Sequence, residues 1–191
     1  MNARVEDKQA ISDLMTGWIH RDLDEWDQVR GLFHPGARME IAWFEGPATD
    51  FVDASERMSH SDLRSKHLIA NPAITFNGDK AVVETNAMLI GENIALSLGF
   101  TVHSRFIDRV EKRDGAWAIV HRFSVYDNGT FTFPLGLVDI DQAVVTKYPR
   151  EYAALAYVLE KSGYPIDRVF PTRGSDLERE IKDAAAKWLA A

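Results

Sequence analysis

A carboxylate stands where this chain's hydrophobic pattern calls for an apolar residue. Ile11, Leu14, Met15, Trp18 and Ile19 recur at the spacing of one helical stripe, and the next step of four from Trp18 lands on Asp22. A carboxylate withdrawn from water costs several kcal/mol unless something pairs with it. His67 is the candidate partner. Histidine both takes and gives a proton near neutral pH. A carboxylate on one ring nitrogen fixes the tautomer and stabilises the imidazolium that forms. With Asp22 orienting it, His67 would be a general base that needs no Ser or Cys nucleophile. The chemistry open to such a base is proton abstraction followed by loss of a leaving group: elimination, dehydration, isomerisation or retro-aldol cleavage. Arg122 would stabilise developing negative charge. Asn71 falls on the strand face of His67 by period-two alternation through Ile69, where it would orient a substrate. Trp43 and Tyr126, with Trp18, Phe44 and Met88, are available to wall a pocket for an apolar or aryl molecule.

Each of these residues also has a purely structural reading. Asp22 followed by Glu25 has the spacing of a capping box for the next helix. His67 could be a satisfied core or edge histidine, and Arg122 an ion-pair partner of Asp108 or Glu84. Trp43 and Tyr126 could be core residues. His20, His34, His60, His103 and His121 match no zinc spacing, and no glycine-rich phosphate loop is present, so neither a metal nor a nucleotide cofactor is expected.

Composition narrows the classes. The chain has 191 residues, 46% hydrophobic and 27% charged, which suits one globular domain with an appendage. The absence of cysteine excludes disulfides and thiolate chemistry. A net charge of -7 without a long basic run argues against nucleic acid and anionic membrane surfaces as partners. Residues 1–7 carry no apolar signal core, and no stretch is long enough to span a bilayer, which is compatible with a cytoplasmic protein.

Several elements must position these residues. Residues 5–19 read as an amphipathic helix, and a second runs from about Leu23 to Phe33 and ends at His34-Pro35-Gly36. Arg38–Phe44 reads as a strand broken by Gly46-Pro47, and Phe51–Met58 as a short helix. From Lys66 the texture changes to four long strands: 67–76, 81–90, 94–110 and 116–126. Asn77-Gly78 and Asp114-Gly115 are hairpin signals, with a weaker third link around Gly91-Glu92-Asn93. Helices followed by an antiparallel meander make an α+β fold. A twisted sheet covered by helices on one side forms a cone with room for a pocket. Residues 146–191 form a helical extension to a domain of residues 1–145. Its helix 151–161 precedes a proline-rich linker, and Ser175 with Glu178 caps a last helix.

In order, these features resemble the SnoaL-like branch of the nuclear transport factor two-like superfamily, over about residues 3–130. Asp22 lies eleven residues before the helix-ending Phe33, as does the family's dyad aspartate. His67 followed by Asn71 is similar to the His-x-x-x-Asn strand start of its dehydrochlorinases. Asp114-Gly115-Ala116-Trp117, followed by Arg122, matches the family's hairpin. The resemblance implies a cone-shaped α+β barrel and a cofactor-independent lyase of the dehydrochlorinase or scytalone dehydratase type. Such an enzyme would act on a small hydrophobic or aromatic substrate, in aromatic compound catabolism. It implies dehydration, dehydrohalogenation or deformylating C–C cleavage of a lignin-type diaryl compound, by a homodimer or homotrimer. The superfamily also holds isomerases, cyclases and non-catalytic ligand-binding or assembly modules, and fold alone does not choose among them. The tyrosine-rich extension could be an interface arm or a lid on its own cavity.

Overall fold

A computed structural model describes residues 2–191. The chain opens with helices α1 (Asn2–Thr16), α2 (Ile19–Asp22) and α3 (Trp26–Arg30). Strands β1 (Phe33–Ile41) and β2 (Phe44–Pro47) lead into helix α4 (Ala48–Ser59). The meander follows as β3 (Leu63–Ile69), β4 (Ala73–Asn77), β5 (Lys80–Asn93), β6 (Leu98–Arg113) and β7 (Ala116–Thr132). Helices α5 (Gln142–Val145), α6 (Ala153–Lys161) and α7 (Asp176–Ala190) complete it. One curved, unclosed sheet runs β2-β1-β7-β6-β5-β3, with β4 also on β5. All pairings are antiparallel except that of β1 with β7.

Helices α1 and α4 cover the concave face. Ile11, Met15, Trp18, Phe51 and Val52 bury there against Val83, Phe106 and Ile119 of the sheet. The predicted stripe therefore faces the core, with one exception. Ile19 is 46% exposed, because α1 stops at Thr16 and the chain re-enters helix at a new angle. The second helix is also shorter than predicted. Asp24 (φ 58) reverses the chain before Trp26, and Phe33-His34-Pro35-Gly36 belongs to β1. Proline is tolerated there because β1 bulges: five steps from Phe33 to Arg38 oppose two on β7.

Curvature comes from irregular register. The β6–β7 ladder slips between His103 and Ser104 and again between Arg109 and Val110, and each bulge bends the long hairpin. The Asp114-Gly115 turn has both central residues left-handed (φ 52 and 84), as a two-residue hairpin requires. The third turn lies at residues 94–97 rather than at Gly91-Glu92-Asn93, which is inside β5. Close approach explains Gly99. A Cβ there would meet the Gly91 carbonyl oxygen at 2.7 Å and collide with the Thr132 hydroxyl.

The extension wraps the same sheet. Residues 153–159 of α6 are all buried, on strands β6 and β7, among Phe100, Val102, Tyr126, Tyr152 and Phe170. Helix α7 lies on the opposite face of the sheet, where Ala185 and Ile181 meet Ile107 and Val125. The Ser175 hydroxyl accepts the Glu178 N–H as an N-cap should. The Glu178 carboxylate accepts from Gly174 N–H and from Arg105, which also reaches Asp127 and Glu84. Among the described residues no helix is long and apolar enough to cross a membrane. Gly99→Ala should destabilise the fold by about 1–3 kcal/mol through overpacking, read as a lowered urea midpoint at unchanged slope.

Candidate active site

Asp22 is the last residue of α2, and its side chain has no solvent exposure. Its partner stands on β3, an edge strand whose outward backbone donors have no ladder to join. One of them, the His67 N–H, donates to Asp22 Oδ2 at 2.6 Å. The His67 ring closes the second contact, Nδ1 to Asp22 Oδ1, also at 2.6 Å. Both carboxylate oxygens are thus spent on one residue. The capping reading of Asp22 does not hold: α3 has Glu25 at its N-cap, and Glu25 pairs with His20 Nδ1 at 2.5 Å.

Burial alone would raise the Asp22 carboxyl, but the His67 ring and N–H outweigh it and hold the group below its ordinary range. Burial also dominates at His67, lowering it below the usual imidazole value, against the opposing pull of Asp22. Near neutral pH the pair is therefore carboxylate and neutral imidazole. An ionised carboxylate only accepts, so Nδ1 carries the proton and Nε2 presents a lone pair. Trp18 sets the ring from the side, edge-on with centroids 6.0 Å apart, and is itself stacked on Phe51 at 5.7 Å.

His67 and Asp22 line a cavity of ≈ 370 Å³. Trp18, Trp43, Phe100, Phe106, Tyr126 and Leu155 supply its apolar wall. Tyr126 also ties the cavity together, since its hydroxyl oxygen accepts the Ala42 N–H at 2.9 Å and pins the β1–β2 turn that carries Trp43. Burial pushes the Tyr126 phenol up, so it stays protonated. Phe44 packs on Phe51 and Trp43 without lining the cavity, and Met88 faces the other side of the sheet.

Two expected substrate contacts are absent. Arg122 does not line the cavity. It is fully buried and bound to Asp108 through Nε (2.7 Å) and Nη2 (2.8 Å). Its guanidinium lies over the rings of Phe106 (4.2 Å) and Trp18 (4.6 Å), so it supports two cavity walls from behind. Asn71 is exposed in the β3–β4 connection. Ile69 pairs with Ala87 and Ala73 with Glu84, so four steps on one side oppose three on the other. That bulge ahead of Pro72 breaks the alternation that would have turned Asn71 inward.

Several lining residues escaped the sequence reading. Ser104 and Ser124 are buried on the inner face of β6 and β7 and line the cavity, with the Ser124 hydroxyl beside the Tyr126 phenol. Their signal was present: Phe100, Val102, Ser104 and Phe106 alternate along one strand, with a hydroxyl at an apolar position. Arg21 and Arg64 also line it, beside the dyad.

Comparison with known proteins identifies the family and the fold. The sequence profile of the SnoaL-like domain matches residues 3–123. The chain belongs to the SnoaL-like family. Its fold is similar to that of a type 2 hexachlorocyclohexane dehydrochlorinase (LinA), with a TM-score of 0.63 at 16% identity over 71% of this chain and 95% of that one. A candidate scytalone dehydratase from Novosphingobium aromaticivorans superposes with a TM-score of 0.59 at 19% identity, over 72% of this chain and 99% of that one. Pea pathogenicity protein 2 of Fusarium vanettenii is 27% identical over 155 residues, 77% of this chain and 66% of its own length. The SnoaL-like fold thus has dehydratase- and dehydrochlorinase-type enzymes among its neighbours.

Removing one partner of the buried Arg122–Asp108 pair leaves an uncompensated charge. Arg122→Met should therefore cost about 3–5 kcal/mol in urea unfolding, while the double variant with Asp108→Leu should regain most of it.

Proposed function

We propose that this SnoaL-like protein is a cofactor-independent lyase acting on a small hydrophobic or aromatic molecule. The observation that carries the reading is a histidine lining a cavity walled largely by aromatic and aliphatic side chains, its Nδ1 tied to a carboxylate with no solvent exposure. His67 Nε2 takes a proton from a C–H or O–H of the substrate. The electron pair left behind forms the new double bond, and the leaving group departs from the neighbouring atom with its own pair. The imidazolium, stabilised by Asp22, then returns its proton to the leaving group or to water. Proton transfer and departure call for no redox or nucleotide group. Dehydration, dehydrohalogenation and deformylating C–C cleavage all fit this scheme.

The remaining residues divide by contact. Ser104 supplies a hydroxyl for a polar substrate group, while Trp43 and Tyr126 pack its apolar body. Asp22 and Arg122 are positioning residues, the first through His67 and the second through Trp18 and Phe106.

Turnover of aryl alcohols, diaryl propane diols and halogenated cyclohexanes tests this reading, without added metal or nucleotide. His67→Gln should lower kcat by about 10²–10⁴ at retained circular dichroism, as loss of a general base does. Near-normal turnover by that variant would overturn the mechanism. The base works as neutral imidazole, and its folded value lies below the ordinary ~6.5. The pH profile of kcat/KM should therefore fall on the acid side with a midpoint below about 6.5 and be flat from about pH 7 to 8. Asp22→Asn should cut turnover by orders of magnitude and distort that acid limb.

A further inference from the structure

The entrance to the cavity carries charge that the apolar wall does not use. Of its lining residues, three are exposed: Asp24, Arg64 and Ser65. They mark the opening at the α2–α3 turn and the edge strand β3. Arg21 stands at the same rim, partly buried, one residue before Asp22. Its Nη1 donates to the Ser65 hydroxyl at 3.0 Å, and that is its one side-chain hydrogen bond among the described residues. Arg64 bonds only to backbone carbonyls, of Ser61 (2.5 Å) and Leu63 (2.8 Å). Neither arginine forms an ion pair with a carboxylate among the described residues, although Asp22 and Asp24 lie within electrostatic reach of Arg21.

A guanidinium has five donors in a planar fork shaped for a carboxylate. Held partly out of water with a single hydroxyl acceptor, Arg21 lines the cavity with most of that fork unpaired among the described residues. Arg30, Arg105, Arg113 and Arg168 meet carboxylates; Arg57, Arg109, Arg150 and Arg173 do not among the described residues, but none of these lines the cavity. We propose that Arg21, seconded by Arg64, is an anion-recognition site, and that the substrate is an aryl carboxylate. Its acid group sits at the rim and its ring in the pocket of Trp43, Phe100 and Phe106. This selects a substrate class for the dyad, and to that extent it rests on the lyase reading. The binding it requires does not need turnover.

The test is equilibrium binding to the full chain, followed by tryptophan fluorescence and calorimetry. The probes are 3-phenylpropanoate and 4-phenylbutanoate, each against its carboxamide. Each carboxylate should bind about tenfold or more tighter than its amide at low salt, and the ratio should shrink as salt rises. Arg21→Gln should bring the ratio close to one without weakening the amide, and Arg64→Gln should lower it in part. Equal binding of acid and amide, a preference that survives in the double variant, or no binding of either acid up to about millimolar concentration would overturn the proposal. His67→Gln separates the two readings. An acid-over-amide ratio that persists in His67→Gln, beside a wild-type protein that turns over none of the substrates, keeps the anion site and removes the lyase. His67-dependent turnover of neutral substrates with no acid preference does the reverse.

Discussion

Everything at this site depends on two hydrogen bonds from one histidine to one carboxylate. Asp22 takes the His67 ring proton with one oxygen and the His67 backbone proton with the other. The ring contact sets the tautomer. The backbone contact sets where the edge strand lies against α2. A buried carboxylate with both oxygens occupied is tolerable; left alone it would cost several kcal/mol. The same pair therefore ties the N-terminal helices to the sheet and leaves one imidazole nitrogen free for chemistry.

The cavity exists because the sheet is bent and incompletely closed. Bulges in the β6–β7 hairpin and in β1 turn long strands into a curved wall. Helices α1 and α4 fill one part of the concavity, and α6 covers another with Leu155 and Leu159 facing the space between. The extension is thus part of the cavity wall, and α7 is moored separately on the outer face through Glu178 and Arg105. Arg122 shows how the interior is stiffened: a bidentate pair with Asp108 fixes a planar cation against two aromatic walls.

Much of this was legible in the chain. Asp22 stood out because it broke an apolar stripe, and the hairpin turns at Gly78 and at Asp114-Gly115 are local chemistry that reads directly. What escaped was register. Asn71 was assigned inward by simple alternation, and a single bulge ahead of Pro72 reversed it. Pro35-Gly36 looked like a helix stop and proved to be a bulge in a strand. Arg122 was read toward a substrate, with an ion pair to Asp108 or Glu84 as its structural alternative; it pairs with Asp108, in a register set by the slip between Arg109 and Val110. Periodicity reports which face a residue prefers, whereas bulges are set by how the sheet curves around its helices.

The central claim is that Asp22 holds His67 as a neutral base with Nε2 unprotonated. Nitrogen-15 NMR of the imidazole tests it most directly. The account predicts a protonated Nδ1, an unprotonated Nε2 near neutral pH, and a titration midpoint below the ordinary ~6.5 that moves in Asp22→Asn. A proton resident on Nε2 at neutral pH, or a ring that titrates above that value, would contradict it.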